Sequence, residues 1–191
     1  MHNKPIGAGR SSFELVDVKR LFSELRLSED SVFLDVACGK GAYAIAASAY
    51  IGQAGSIYAV DLWEEGIDAL QKDIKARHIS NISAQVADVG KRIPLADLSV
   101  DACLMATVLH DLIRDNTVDG TLKEIKRVLK PGGRLAVVEF KKTEGTLGPP
   151  MGVRISPEEV TAWLLPYSFH IVKTMDIGPH NYLSLFIKEG E

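Results

Sequence analysis

Val32-Phe33-Leu34-Asp35-Val36-Ala37-Cys38-Gly39-Lys40-Gly41-Ala42-Tyr43-Ala44 is the stretch whose reading decides the fold. It opens on a short apolar run, fit for a strand covered on both faces. Gly39 and Gly41 then let the backbone bend sharply and come close to a ligand with no Cβ in the way. Small residues continue from Ala42 to Tyr50 as a helix. Strand, tight turn and helix together begin a parallel β-α-β unit.

The same alternation runs outward in both directions. Upstream, Leu15, Val18, Phe22 and Leu25 share one face of a helix. Downstream, 56–60 reads as strand and 63–78 as helix, with Trp63, Ile67, Leu70 and Ile74 on its apolar face. Strands follow at 82–87 and 100–105. Asp115 or Asn116 is placed to cap a helix carrying Val118, Leu122, Ile125 and Leu129. Pro131-Gly132-Gly133 stops that helix and turns into a strand at 134–139. A helix at 158–165 and strands at 171–176 and 182–188 complete the chain. The pattern predicts an α/β fold, a Rossmann-like three-layer α/β/α sandwich on a mostly parallel seven-stranded sheet. Only Gly178-Pro179-His180-Asn181 separates the last two strands. So short a link joins antiparallel neighbours, so the last strand should run against the rest.

Composition narrows the function classes. Apolar residues make up 46% and charged residues 25% of the 191, the balance of one soluble globular domain rather than a disordered or fibrous chain. Lys and Arg number 22 against 25 Asp and Glu, and the net charge of −3 gives no support to nucleic-acid binding. Cys38 and Cys103 stand in neither CxxC nor CxxH spacing, so neither a zinc site nor a disulfide framework is expected. A reducing compartment suits them. The start of the chain has no leader-like apolar stretch, and nowhere do apolar residues approach the ~20 a membrane span needs. A cytoplasmic protein is expected.

In an open parallel sheet, ligands bind beyond the carboxyl ends of the strands. Those ends present Asp35 with the glycine turn, then Asp61-Leu62, Asp88-Val89, the run Ala106-Thr107-Val108-Leu109-His110-Asp111, and Glu139-Phe140. Gly39-Lys40-Gly41-Ala42-Tyr43-Ala44 fits the G-x-G-x-x-A of dinucleotide sites, which leaves an NAD-linked oxidoreductase open. The acids argue against it. A pyrophosphate wants bare amides at a helix N-terminus, and Asp35 would lie unfavourably close. A ligand carrying an ammonium and a sulfonium would instead be stabilised there. Asp61 is placed to grip ribose hydroxyls, Asp88 to accept from an exocyclic adenine amine beside the Val89 amide, and Leu62 to cover an adenine face.

Leu34-Asp35-Val36-Ala37-Cys38-Gly39-Lys40-Gly41 resembles the first motif of class I S-adenosylmethionine-dependent methyltransferases. Tyr58-Ala59-Val60-Asp61 and Ala87-Asp88-Val89 resemble their second and third strand ends, and Leu129-Lys130-Pro131-Gly132-Gly133-Arg134-Leu135 their late helix–turn–strand motif. Ala37 departs from the pattern, which more often has glycine. Within the superfamily, Ile93-Pro94-Leu95 with Asp101, and the Arg127 to Gly133 run, resemble the ubiquinone and menaquinone biosynthesis C-methyltransferases. The resemblance implies S-adenosylmethionine as cofactor, S-adenosylhomocysteine as product and a small-molecule methyl acceptor. It implies cofactor contacts at Asp35, Ala37, Gly39, Gly41, Asp61, Leu62, Asp88, Val89, Ala106 and Thr107, with no metal. It also divides the chain into an N-terminal helix or lid segment (1–30), a cofactor-binding core (31–140) and a substrate-side loop with closing strands (141–191). A module that binds the cofactor without turnover remains a further alternative.

His110 is the candidate acid or base, since it follows the fourth strand and its ordinary pKa suits proton removal at neutral pH. A structural histidine paired with Asp111 is the competing reading, and Glu139 is a second polar candidate. Segments 7–13 and 141–156 are the candidate lids. Lys141, Lys142 and Arg154 read either as attraction for an anionic substrate or as solvated cations. Lys123, Lys126, Arg127 and Lys130 read as a solvated helix face, and the two cysteines as packing residues.

Overall fold

The computed structural model describes residues 7–145 and 147–190. The expectation about a leader at the very start rests partly on residues 1–6, outside the described residues. The decisive apolar run forms β1 (Val32–Val36), paired in parallel with β2 (Ser56–Asp61) on one side and β4 (Val100–Ala106) on the other. β3 (Ile82–Val86) lies outside β2, and β5 (Leu129–Phe140) lies outside β4. β7 (Asn181–Lys188) runs antiparallel between β5 and the edge strand β6 (Phe169–Asp176). The seven strands stand in the order β3-β2-β1-β4-β5-β7-β6. The expected sheet, with its reversed last strand, is the one observed.

Strand alternation sorts the core into two layers of apolar side chains. Phe33, Leu104, Val138 and Leu183 face α1 (Val18–Leu25), α2 (Ala42–Ala47) and α3 (Glu64–Ala76). Leu34, Val36, Met105, Val137 and Phe186 face α4 (Leu109–Arg114), α5 (Val118–Val128) and α6 (Pro157–Leu164). Asp35 shares the face of Phe33, so a carboxylate is carried into the layer beneath α2.

Four local points differ from the sequence reading. The residues after β4 fold into α4, a helix absent from the sequence reading, so His110 sits in its first turn. Asp115 and Asn116 close α4 instead of opening α5. Asp115 is its C-cap and Asn116 has φ 55°, the left-handed conformation that asparagine tolerates, while Thr117 precedes α5. Arg127 is not solvated. Its guanidinium bonds Glu124, Asp97 and the carbonyls of Ile93 and Leu95, clamping the loop before β4 to α5. The helix stops at Val128, earlier than Pro131 demands, because Leu129 already pairs with Val100 in the sheet.

Candidate active site

The parallel strands end along one edge of the sheet, and there the chain turns sharply. Ala37, Gly39 and Gly41 all have positive φ, at 54°, 58° and 71°. The turn lifts the chain over the end of β1 and starts α2 at Gly41, which has no side chain to cap it. Asp35 supplies the cap from below, its Oδ2 accepting from the Ala44 amide at 3.1 Å. Asp61, at the end of β2, accepts from the Gly39 amide through one oxygen and from the Trp63 amide through the other, both at 2.7 Å. The two acids thus fix the glycine turn from beneath and from the side.

Their electrostatics is unusual. Asp35 is 2% exposed and Asp61 8%, and among the described residues neither carboxylate forms an ion pair with a cation. Burial, against the Ala44 hydrogen bond and helped by the Asp61 charge, pushes the Asp35 carboxyl up to about 8. Burial also raises Asp61, opposed by the amides of Trp63, Gly39 and Leu62. A Cβ built on Gly39 would meet nothing within 4 Å, so the turn borders open space. Two buried acids beside an open cradle suit a ligand that brings a positive charge and hydroxyl donors. Leu62 is 38% exposed next to Asp61, an apolar side chain free to lie against a flat group.

The third expected acid is differently engaged. Asp88 accepts from the Gly90 amide at 3.1 Å and pairs with Lys91 at 3.0 Å, so it is tied into its own turn, while Val89 is buried. Ala106 and Thr107 close β4. Thr107 has φ 54°, donates its hydroxyl to the Ala106 carbonyl at 2.8 Å and its amide to the Val138 carbonyl at 2.7 Å. Cys38 is half-buried and Cys103 fully buried in β4, as packing residues should be.

On the other side of β4, α4 brings His110 against the end of β5. Nδ1 of His110 lies 2.8 Å from Oε2 of Glu139, and the His110 amide donates to Oε1 of the same carboxylate at 3.3 Å. Both side chains are buried. Asp111 stands 3.6 Å from the other ring nitrogen and is held by Arg114 at 2.6 Å. Burial pulls the imidazole down, but the bond and charge of Glu139, with Asp111, outweigh it and raise the pKa above 6.5. The sequence offered His110 beside Asp111, and Glu139 apart from them; the β4–β5 pairing brings Glu139 to His110.

Two groups were not anticipated. Ser12, in the segment before α1, is buried, with its hydroxyl 2.9 Å from that of Tyr43 on α2 and 3.4 Å from Thr107 Oγ1. Phe13 packs edge-on against Tyr43 with centroids 5.2 Å apart. This segment, proposed from sequence as a lid, lies across the strand ends. Arg154, read either as attraction for an anionic substrate or as a solvated cation, is only 6% exposed.

Residues 34–137 match the methyltransferase domain family. The chain belongs to that family. A crystal structure of an S-adenosylmethionine-dependent methyltransferase from Aquifex aeolicus superposes with a TM-score of 0.85 at 29% identity, covering 93% of this chain and 92% of that one. A demethylmenaquinone methyltransferase of Lactobacillus johnsonii is 28% identical over 63% of this chain and 48% of its own length. The ubiquinone/menaquinone biosynthesis C-methyltransferase UbiE of Geotalea daltonii is 34% identical over 61% of this chain and 48% of its own. The chain spans about half the length of the curated relatives it matches. The match begins at Leu34 and ends at Val137, so the chain shares the glycine turn, β2, β3, β4 and most of β5 with the family pattern. No helix among the described residues is long and apolar enough to cross a membrane.

Proposed function

We propose that this chain transfers a methyl group from S-adenosylmethionine to a small, flat acceptor of the hydroquinone or phenol class. The pair of buried acids without cations, set beside the open Gly39 cradle, carries the cofactor half of the reading. Asp35 would sit under the ammonium end, Gly39 and Gly41 would form the floor with Ala37, and Asp61 would accept from the ribose. Leu62 and Val89 would cover the adenine, Asp88 would bond its amine by giving up Lys91, and backbone at Ala106 and Thr107 would meet the methionine end. In this reading 31–140 is the cofactor-binding core, with the acceptor side built from the flanking segments.

When bound, the cofactor supplies a methyl already activated by a sulfonium; the acceptor's electron pair forms the new bond to it as the carbon–sulfur bond breaks onto sulfur. The chain's own task is placement and one proton. In-line positioning supplies much of the barrier reduction. Glu139 accepts from Nδ1–H of His110 and so selects the tautomer whose Nε2 is free to take the acceptor's proton. Asp111 then stabilises the imidazolium. The quinone-directed names of the relatives support a hydroquinone as acceptor. An NAD-linked reaction is disfavoured by the same acids, which would face a pyrophosphate.

The test is thermal unfolding with S-adenosylmethionine, S-adenosylhomocysteine and NAD in parallel, followed by turnover of 1,4-naphthohydroquinone. A ligand at ~100 times its dissociation constant adds about 2.7 kcal/mol, or about 5–10 °C for a chain of this size. A rise with the two adenosyl-sulfur ligands alone, and S-adenosylhomocysteine released only with acceptor present, is expected. A rise with NAD alone overturns the reading, and binding of the adenosyl-sulfur ligands without turnover of the hydroquinone overturns the acceptor class.

A further inference from the structure

Arg154 stands at the centre of the loop that follows β5. Its Nε donates to the Pro149 carbonyl at 2.9 Å, Nη1 to those of Lys141 and Thr143 at 2.9 Å, and Nη2 to that of Leu147 at 2.6 Å. Among the described residues no carboxylate pairs with it. A guanidinium this buried is costly unless its donors are satisfied, and here backbone dipoles alone satisfy four of its five. The carbonyls come from both ends of the loop, so the guanidinium draws an otherwise open excursion into a ring around itself.

That ring sits between the end of β5 and α4. The guanidinium lies 5.8 Å from the centre of the ring of Phe140, the last residue of β5. At Gly148, with φ 84°, a Cβ would come within 2.6 Å of the same ring, so the loop backbone presses on Phe140 with nothing between. The 3-10 turn Met151–Val153, next to Arg154 in the chain, packs against α4, the helix that carries His110. Leu147 and Met151 remain exposed on this wall. Asp35 and Asp61 lie beside the glycine turn, whereas this side of the strand ends carries apolar surface.

We propose that Arg154 is a positioning residue that holds the described parts of the loop, 141–145 and 147–153, as the acceptor-side wall. The proposal rests on the methyltransferase reading above. Lysine cannot reproduce the role, since one ammonium cannot hold four carbonyls in a planar fork.

Arg154→Met and Arg154→Lys are compared with the natural protein in three measurements. S-adenosylhomocysteine affinity should stay within twofold. The amides of Val153 and residue 154, which donate to the carbonyls of Pro150 and Met151, should exchange with deuterium at least tenfold faster. KM for 1,4-naphthohydroquinone should rise about tenfold while kcat changes less than threefold. Amides that stay protected, an unchanged KM, or a cofactor affinity that falls as far as the acceptor's each overturn the role of Arg154. Failure of the natural protein to bind S-adenosylhomocysteine is instead the failure of the underlying reading. If it binds but leaves the hydroquinone unmethylated, the acceptor class falls, and amide exchange alone decides whether Arg154 holds the wall.

Discussion

His110 Nδ1 and Glu139 Oε2 lie 2.8 Å apart, closed off from solvent between the start of α4 and the end of β5. Burial alone would lower the imidazole pKa; the bond and charge of Glu139 reverse the sign and hold it above 6.5. A base must be neutral to act, so kcat should climb with pH through that raised value. His110→Ala should lower kcat by about 10²–10⁴, the usual worth of a positioned base, with S-adenosylhomocysteine affinity retained. Glu139→Gln keeps an acceptor but removes the charge, so burial prevails and the ascending limb should move to lower pH. The stability that the raised histidine contributes is present below pH 6.5 and lost as pH rises through its folded value. A pH–rate profile unmoved by Glu139→Gln, with an alanine variant retaining a third of kcat, would return His110 to a structural role.

Asp35 makes the site pH-dependent in a second way. Its carboxyl, pushed up to about 8 from an ordinary value near 4, is mostly protonated in the free protein at neutral pH. The sign follows from linkage: stability from this group is complete below the unfolded pKa and is lost as pH rises through about 8. The unfolding free energy of the free protein, from urea titration, should therefore fall between pH 5 and 8, with this group contributing a slope of up to about 1.4 kcal/mol per pH unit. An ammonium-bearing ligand selects the ionised form, so affinity for S-adenosylhomocysteine should rise over the same interval and level off above it. Asp35→Asn should flatten the stability slope and weaken binding at pH 8 by about tenfold or more. Calorimetry and urea titration at four pH values decide both.

How much of this was legible in the sequence depended on what held each residue. β1 and its turn were plain because a strand buried on both faces is built of apolar residues, here all but Asp35, and because a left-handed turn favours glycine. α4 was missed: six residues are too few to show a helical period. The His110–Glu139 pair spans 29 positions and exists only because β4 and β5 are neighbours in the sheet. Arg154 and Arg127 looked like surface cations because their partners include main-chain carbonyls, which leave no mark in a sequence. Asp115-Asn116 was recognised as a helix boundary but assigned to the wrong helix, since either residue serves as a start or a stop.

Ala37 and Gly41 offer opposite tests of the turn. Ala37 holds φ 54°, at a cost of about 1–2 kcal/mol for a residue with a Cβ. Ala37→Gly relieves that strain, less about 0.5–1 kcal/mol of added chain entropy in the unfolded state, for a net gain of about 0.5–1 kcal/mol. At Gly41, φ is 71° and a Cβ would meet the Leu70 side chain at 2.4 Å. Gly41→Ala should therefore cost about 2–4 kcal/mol from strain and overpacking together. Denaturant midpoints check both. Equal shifts in one direction would show that the turn is not held as described.

Ser12 links three elements through one hydroxyl, with Tyr43 at 2.9 Å, Thr107 at 3.4 Å, and Phe13 beside it stacked edge-on against Tyr43. Tyr43 lies just past the glycine turn and Thr107 at the end of β4, so the segment bridges the two sides of the cofactor crevice. Ser12→Ala leaves the buried Tyr43 hydroxyl without its partner, a loss of about 1–1.5 kcal/mol. If the segment closes over bound cofactor, that energy is spent when it opens, and S-adenosylhomocysteine should dissociate about 5–15 times faster in stopped flow. Association should change little, since the alanine adds no bulk. A dissociation rate within twofold of the natural protein, despite a lowered melting temperature, would mean that Ser12 braces the fold without gating the site.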